Sequence, residues 1–280
     1  MIKKNFHMHT TYCDGNNTVR EMIDSAIEKG FTEIGFSGHS HTPFDESYCM
    51  SPEATEAYRE EIMALKEEYK DKIAIRLGVE FDYFSDEDKD RWDYLIGSVH
   101  YVLAGGEYVP VDETPEITRD AIDRLFGGDP YAFCEAYFAQ VGNVAGKTGC
   151  DIVGHFDLIT KFNEYVEQDE DGKFVSAGTG KMFDETDPRY VAAYTAAVKR
   201  IMEDGKAAGK VPLFEINTGA MSRGYRATPY PSKAILETIR DAGGRVILSS
   251  DSHAADTIDC AFEEAEAMAK DLGLTFGELF

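Results

Sequence analysis

His7 and His9 stand two residues apart at the end of an apolar run, Asn5-Phe6-His7-Met8-His9-Thr10. Alternate side chains of a strand share a face, so both imidazoles project together. Two neutral imidazoles aimed at one point are natural ligands for a borderline transition metal. Alone, such a pair is ordinary at a strand end, so the other five of the seven histidines decide its meaning. His39 and His41 follow Ile34-Gly35-Phe36-Ser37, His100 follows Leu95-Ile96-Gly97-Ser98-Val99, and His155 follows Asp151-Ile152-Val153-Gly154. Asp251 and His253 follow Val246-Ile247-Leu248-Ser249-Ser250, and Glu80 ends Ile75-Arg76-Leu77-Gly78-Val79. Every histidine thus sits at or just past the C-terminal end of a strand-like run. That coincidence points to a multinuclear metal site. A single catalytic zinc takes three protein ligands and a water. Six or seven imidazoles with Glu80, Asp251 and Asp14 suit two or three divalent ions. A hydroxide held between two such ions is a strong nucleophile at neutral pH.

The elements that would position these residues alternate along the chain. Strands are expected over Lys4–His9, Glu33–Ser37, Ile73–Glu80, Tyr94–Val99, Asp151–Gly154, Leu213–Asn217 and Arg245–Ser249. Helices are expected over Thr18–Lys29, Pro52–Tyr69, Pro130–Lys147, Arg189–Lys206, Ser232–Ala242 and Thr257–Leu272. Ser51 and Pro52 open the second, and Gly30 stops the first. Seven strands with helices between them predict an α/β fold with a parallel sheet. Because nearly every strand delivers a polar residue at its end, we expect that sheet to close into a seven-stranded, TIM-like barrel, whose C-terminal face gathers all those ends. Tyr101–Val111 reads as a hairpin around Gly105-Gly106. Phe162–Pro188 is long, polar and glycine-containing, a loop expected to be disordered or a lid. Neither resembles a linker, so residues 1–280 are expected to form one domain.

Composition narrows the partners. With 52 acidic against 28 basic residues the formal charge is −24. That field opposes binding to nucleic acid or to anionic membranes. An anionic substrate would therefore need concentrated local positive charge. The five cysteines, Cys13, Cys49, Cys134, Cys150 and Cys260, are scattered and odd in number. They read as reduced thiols of a cytoplasmic protein. The first residues run into a strand without an apolar secretory core, and no run of about 18 apolar residues suggests a membrane span.

The whole set resembles the PHP (polymerase and histidinol phosphatase) family, on His7-Met8-His9-Thr10 with Asp14-Gly15, Gly38-His39, Gly78-Val79-Glu80, Gly97-Ser98-Val99-His100, Gly154-His155-Phe156-Asp157 and Ser250-Asp251-Ser252-His253. These motifs span residues 7 to 253. Glu215-Ile216-Asn217-Thr218 through Arg223 to Pro229-Tyr230-Pro231-Ser232 is similar to its histidinol-phosphate phosphatase branch. The resemblance implies a trinuclear site in a distorted (β/α) barrel. It assigns His7, His9, Glu80 and Asp251 to one ion, Glu80, His100 and His155 to a second, and Asp14, His39 and His253 to a third. Zinc, iron or manganese would suit these mixed ligands. The implied reaction is hydrolysis of L-histidinol phosphate, in histidine biosynthesis.

Phosphomonoesters hydrolyse very slowly unaided, so the site must neutralise charge and supply a nucleophile together. Arg223 and Lys161 follow two of the strands and are candidates to contact the phosphate, with Arg226 as a substitute. His41, unassigned to metal, is the candidate general acid for the leaving alkoxide. Asp45 or Glu46 are candidates to meet the amine. Other readings are a phosphoesterase acting on another small phosphate or a nucleotide, an amidohydrolase-type hydrolase, and a non-enzymatic metal-binding protein. Oligomeric state is not legible.

Overall fold

A computed structural model describes residues 2–280. In chain order its elements are β1 (Lys4–Asn5), α1 (Val19–Glu28), β2 (Glu33–Phe36), α2 (Pro52–Glu68), β3 (Ala74–Asp82), β4 (Tyr94–Ser98), β5 (Tyr101–Ala104) and β6 (Glu107–Pro110). There follow α3 (Pro115–Leu125), α4 (Pro130–Thr148), β7 (Ile152–Val153), β8 (Tyr165–Gln168), β9 (Phe174–Gly178), α5 (Pro188–Ala208), β10 (Leu213–Asn217), α6 (Gly219–Ser222), α7 (Lys233–Asp241), β11 (Val246–Ser249) and α8 (Phe262–Asp271). The seven expected strands are all present, most of them shortened at their ends.

They form one parallel sheet in the order β1-β2-β3-β4-β7-β10-β11. A parallel bridge between Met8 and Ser252 links the two edges, with His9 N donating to Ser252 O at 2.9 Å. The result is the nearly closed, TIM-like barrel expected.

Strand alternation explains both the barrel's packing and its chemistry. Tyr94 and Ile96 share a strand face with Ser98, while Leu213 shares one with Glu215 and Asn217. Near the strand starts, Phe6, Tyr94, Ile96, Ile152, Leu213 and Ile247 form a small apolar cluster of their own. Tyr94 is its keystone: its hydroxyl donates to Phe6 O at 2.5 Å and to Phe36 O at 3.2 Å. The ring leaves no room for a side chain at position 78, where a Cβ would lie 2.2 Å from Tyr94 Cζ. Two residues further along β4, β10 and β11 the same face turns polar, at Ser98, Glu215 and Ser249. The barrel is therefore apolar at one end and ligand-bearing at the other. A larger core packs between the barrel and its helices.

The helices begin where their caps dictate. Thr18 and Glu21 form a reciprocal capping box on α1, and Asp129 accepts from the first turn of α4. Gly149 and Gly209 end α4 and α5 in the left-handed conformation. Helix α3 escaped the sequence reading although Thr114 and Pro115 mark its start. It is short and follows a hairpin, where the βα rhythm is interrupted. Residues 162–188 are not a bare loop either, since β8 and β9 pair as an antiparallel hairpin. The expected hairpin around Gly105-Gly106 is β5–β6. Among the described residues no helix is long and apolar enough to cross a membrane.

Candidate metal centre

Glu80 lies at the middle of the ligand-bearing end, 1% exposed. Its Oε2 stands 3.1 Å from His7 Nε2, 3.4 Å from His9 Nε2 and 3.1 Å from His39 Nδ1. Its Oε1 stands 2.7 Å from His155 Nε2 and 3.3 Å from His100 Nε2. Asp251 Oδ1 reaches His9 Nε2 at 3.1 Å and His7 Nε2 at 3.7 Å. On the outer side Asp14 Oδ2 meets His253 Nε2 at 3.1 Å and His39 Nε2 at 3.6 Å. Asp14 returns to the cluster because the chain turns tightly after β1, with Cys13 N and Gly15 N both donating to Thr10 O.

Every residue expected to bind metal is in this one cluster, from six strand ends and one turn. Three groups have ligand atoms within 4.8 Å of one another: His9, Asp14, His39 and His253; His7, His9 and Asp251; and His39, Glu80 and His100. The groups overlap more than the expected assignment does, because His9 and His39 each stand between two of them.

Burial and neighbouring charge act against each other throughout the cluster. Burial pulls the His7 pKa down, but Glu215, Glu80 and Asp251 override it and hold the ring well above its ordinary value. Burial also lowers His9, and the charges of His253 and His39 add to that, leaving it at about 3. Burial opposes the ionised form of Glu80, yet His39, His7 and His100 keep it well below the usual carboxylate range. His7 Nε2, His9 Nε2, His39 Nδ1 and Glu80 Oε2 are buried and make no hydrogen bond. Four converging buried polar atoms without a hydrogen-bond partner are unusual in a folded interior. Divalent cations held by the three overlapping groups would satisfy them. The donor set, imidazole with carboxylate, is what such ions take.

A second layer of residues holds the ligands. Glu215 Oε1 lies 2.6 Å from His7 Nδ1, and its Oε2 accepts from His155 N at 2.8 Å and Asn217 Nδ2 at 2.9 Å. Asp82 Oδ2 lies 3.1 Å from His100 Nδ1. Such partners fix ring orientation and tautomer. Sequence reasoning gave neither a role. Both carried a signal, a carboxylate inside a buried strand, two residues along the same face from Glu80 or Asn217. Asp251 adopts φ 47°, a conformation Asp tolerates better than most residues. Its carboxylate fits against Gly219, where a Cβ would lie 2.9 Å from Oδ2.

The cluster opens into a cavity of about 300 Å³, lined further by Asp45, Tyr48, Tyr101, Glu113, Lys161, Arg223 and Tyr225. Lys161 Nζ donates to Asp112 O at 2.7 Å, and Arg223 Nη1 donates to Asp251 O at 3.0 Å. Arg226, the substitute, is buried instead and does not line the cavity. The structure does not bring His41 there either. Its Nε2 lies 3.1 Å from Glu46 Oε1, and its backbone N donates to Glu87. The chain turns outward after Ser40, so a side chain two residues beyond His39 leaves the cluster. Of Asp45 and Glu46, Asp45 lines the cavity and Glu46 does not.

A seven-stranded barrel with a histidine- and carboxylate-rich centre at its strand ends defines a class. The PHP domain family model matches residues 5–205, and the chain belongs to the PHP family. Its relatives include a protein named probable histidinol-phosphatase from Schizosaccharomyces pombe, 27% identical, the match covering 96% of this chain and 86% of that one. A probable histidinol-phosphatase of Deinococcus radiodurans is 26% identical over 95% of this chain and 92% of its own. Among solved structures, the histidinol phosphate phosphatase of Lactococcus lactis, complexed with zinc, L-histidinol and phosphate, superposes with a TM-score of 0.68. It is 20% identical, with 99% of this chain and 97% of that chain covered.

Proposed function

We propose that this protein is a metal-dependent phosphatase that hydrolyses L-histidinol phosphate to L-histidinol and phosphate. The observation that carries the proposal is the set of four unsatisfied buried atoms, three imidazole nitrogens and Glu80 Oε2, opening on a cavity that also holds Lys161 and Arg223. The names of the relatives that match most of the chain support the choice of ester.

In this reading His7, His9, Glu80, His100, His155 and Asp251, with Asp14, His39 and His253, hold two or three divalent ions such as zinc, iron or manganese. When bound, such ions neutralise phosphoryl charge and make water a nucleophile at neutral pH. The chain's own residues do the rest. Glu80 faces five imidazoles with its two oxygens, which keeps the ligands around one centre. Glu215 and Asp82 hold His7 and His100 with their second nitrogens turned away from it. Arg223 and Lys161 supply fixed positive charge to the phosphate oxygens, on a protein that otherwise repels anions. Asp45 and Glu113 present carboxylates to the cationic amine.

Purified protein should release phosphate from histidinol phosphate faster than from a panel of neutral sugar phosphates and nucleotides, with bound metal measured on the same sample. Faster turnover of another ester would replace the substrate. A metal-loaded protein inert on every ester would end the phosphatase reading.

A further inference from the structure

Behind the cavity, away from the metal ligands, lies a second buried polar cluster built around Arg226, which is 3% exposed. Its Nη1 donates to Thr160 Oγ1, and its Nη2 donates to Thr228 Oγ1 at 3.2 Å. Its Nε faces Glu164 Oε2 at 3.6 Å, and the guanidinium lies 4.7 Å from the centre of the Tyr230 ring. Glu164 Oε2 in turn accepts from Ala227 N at 3.2 Å, and Asp157 Oδ2 accepts from Ser232 N at 3.0 Å. Every one of these links except that to Thr228 and the ring contact joins residues 157–164 to residues 226–232.

Those two segments carry the cavity's two cations. Lys161 directly follows the helical turn Leu158–Thr160, whose Thr160 receives Arg226. Arg223 precedes Arg226 by three residues in the turn after α6, and Arg226 N donates back to Ala220 O at 3.3 Å. At the cavity the segments meet again, with Lys161 Nζ 4.9 Å from the centre of the Tyr225 ring and Phe162 edge-on to that ring at 5.7 Å. Residues 157–164 lie outside the barrel sheet, and residues 226–232 touch it through the bridge between Tyr230 and Asn217 of β10. The sheet does not itself link the two segments, so it alone does not set the distance between the two cations. A buried charge is costly unless it is paired and hydrogen-bonded. Arg226 meets that cost at the centre of the contact, where its side chain, with those of Glu164 and Asp157, spans both segments.

We infer that Arg226 is a positioning residue: it staples the turn bearing Lys161 to the turn bearing Arg223, and so sets the spacing of the two phosphate-binding cations without touching the phosphate. This rests on the reading, given above, that Lys161 and Arg223 contact the phosphate.

The test uses the metal-loaded full chain and inorganic phosphate as a competitive inhibitor. Arg223→Ala and Lys161→Ala should each weaken phosphate inhibition by about 10- to 100-fold, the loss of one charged hydrogen-bonding group. Arg226→Met should keep the parent's metal content and still weaken phosphate by roughly tenfold, through misplacement of the other two. In the Arg223→Ala/Lys161→Ala background the same substitution should add nothing further, and Arg226→Lys should restore part of the loss in the parent background. Should Arg226→Met fail to fold, Thr160→Val removes one acceptor and should weaken phosphate by about fivefold, again only when both cations are present. Unchanged inhibition in metal-loaded Arg226→Met, or an effect of full size in the double-alanine background, overturns the inference alone. Unchanged inhibition in Arg223→Ala and Lys161→Ala overturns the phosphate-contact reading, and the inference with it.

Discussion

At the scale of single residues, Glu80 bears most on the site, because both its oxygens face ligand nitrogens. Glu80→Gln keeps the volume but removes the charge, and should lose metal and at least about 100-fold in turnover. Metal analysis beside a rate measurement checks it. Glu215→Gln leaves every proposed ligand in place but weakens the hold on His7. It should cost about 10- to 100-fold in metal affinity, read by titrating a chelator against each protein. Gly219→Ala places a methyl where the Asp251 carboxylate lies, and should lower metal content without unfolding the barrel, as seen by circular dichroism. His41→Ala should keep its metal and most of its turnover, since the ring faces Glu46 outside the cavity. A large loss of rate with metal retained would restore its general-acid role. The proposed metal ligands were legible in the sequence because histidine is scarce and each one followed a strand-like run. Glu215 was not, because its importance lies in a contact 208 residues away.

At the scale of elements, the barrel depends on its apolar end being filled. Tyr94→Phe removes a hydroxyl that donates to two backbone carbonyls from different strands. The variant should lose about 1–3 kcal/mol of stability, since a buried acceptor is left unmade. Tyr94→Ala opens a cavity as well and should cost about 3–5 kcal/mol. Denaturant unfolding reads both, and a Tyr94→Phe variant as stable as the parent would show the hydroxyl to be idle. The strands were legible from their apolar runs and the main helices from their caps. Less was legible in residues 162–188. Their polarity suggested an open loop, but β8 pairs with β9, and Asn163 Nδ2 ties the segment to Phe183 O at 3.0 Å. Side chain to backbone bonds of this kind hold a polar segment in place without an apolar pattern.

At the scale of the whole molecule, charge dominates. The centre sets its carboxylates against imidazoles, and the pKa values of His7, His39 and His100 lie above the ordinary histidine value: burial lowers each, and the neighbouring carboxylates more than reverse it. A bound ion must displace those protons. Metal affinity should therefore rise with pH through the range in which these rings titrate, by about tenfold per unit for each proton displaced. Calorimetry in two buffers of different ionisation enthalpy would count the protons released, and an affinity independent of pH would contradict the picture. Stripping the metal should lower the melting temperature by several degrees, since an ion at about 100 times its dissociation constant adds about 2.7 kcal/mol. Thermal scans before and after chelation test this.

From sequence alone came the residue types, the strands that carry them and the side of the sheet on which they end, because those follow from local periodicity and from the chirality of βα units. The carboxylates behind the proposed ligands, the exclusion of His41 and Arg226 from the cavity, and the joining of two distant turns around one buried arginine were decided only by the folded chain. Each depends on distances between residues far apart in sequence, which no local pattern encodes.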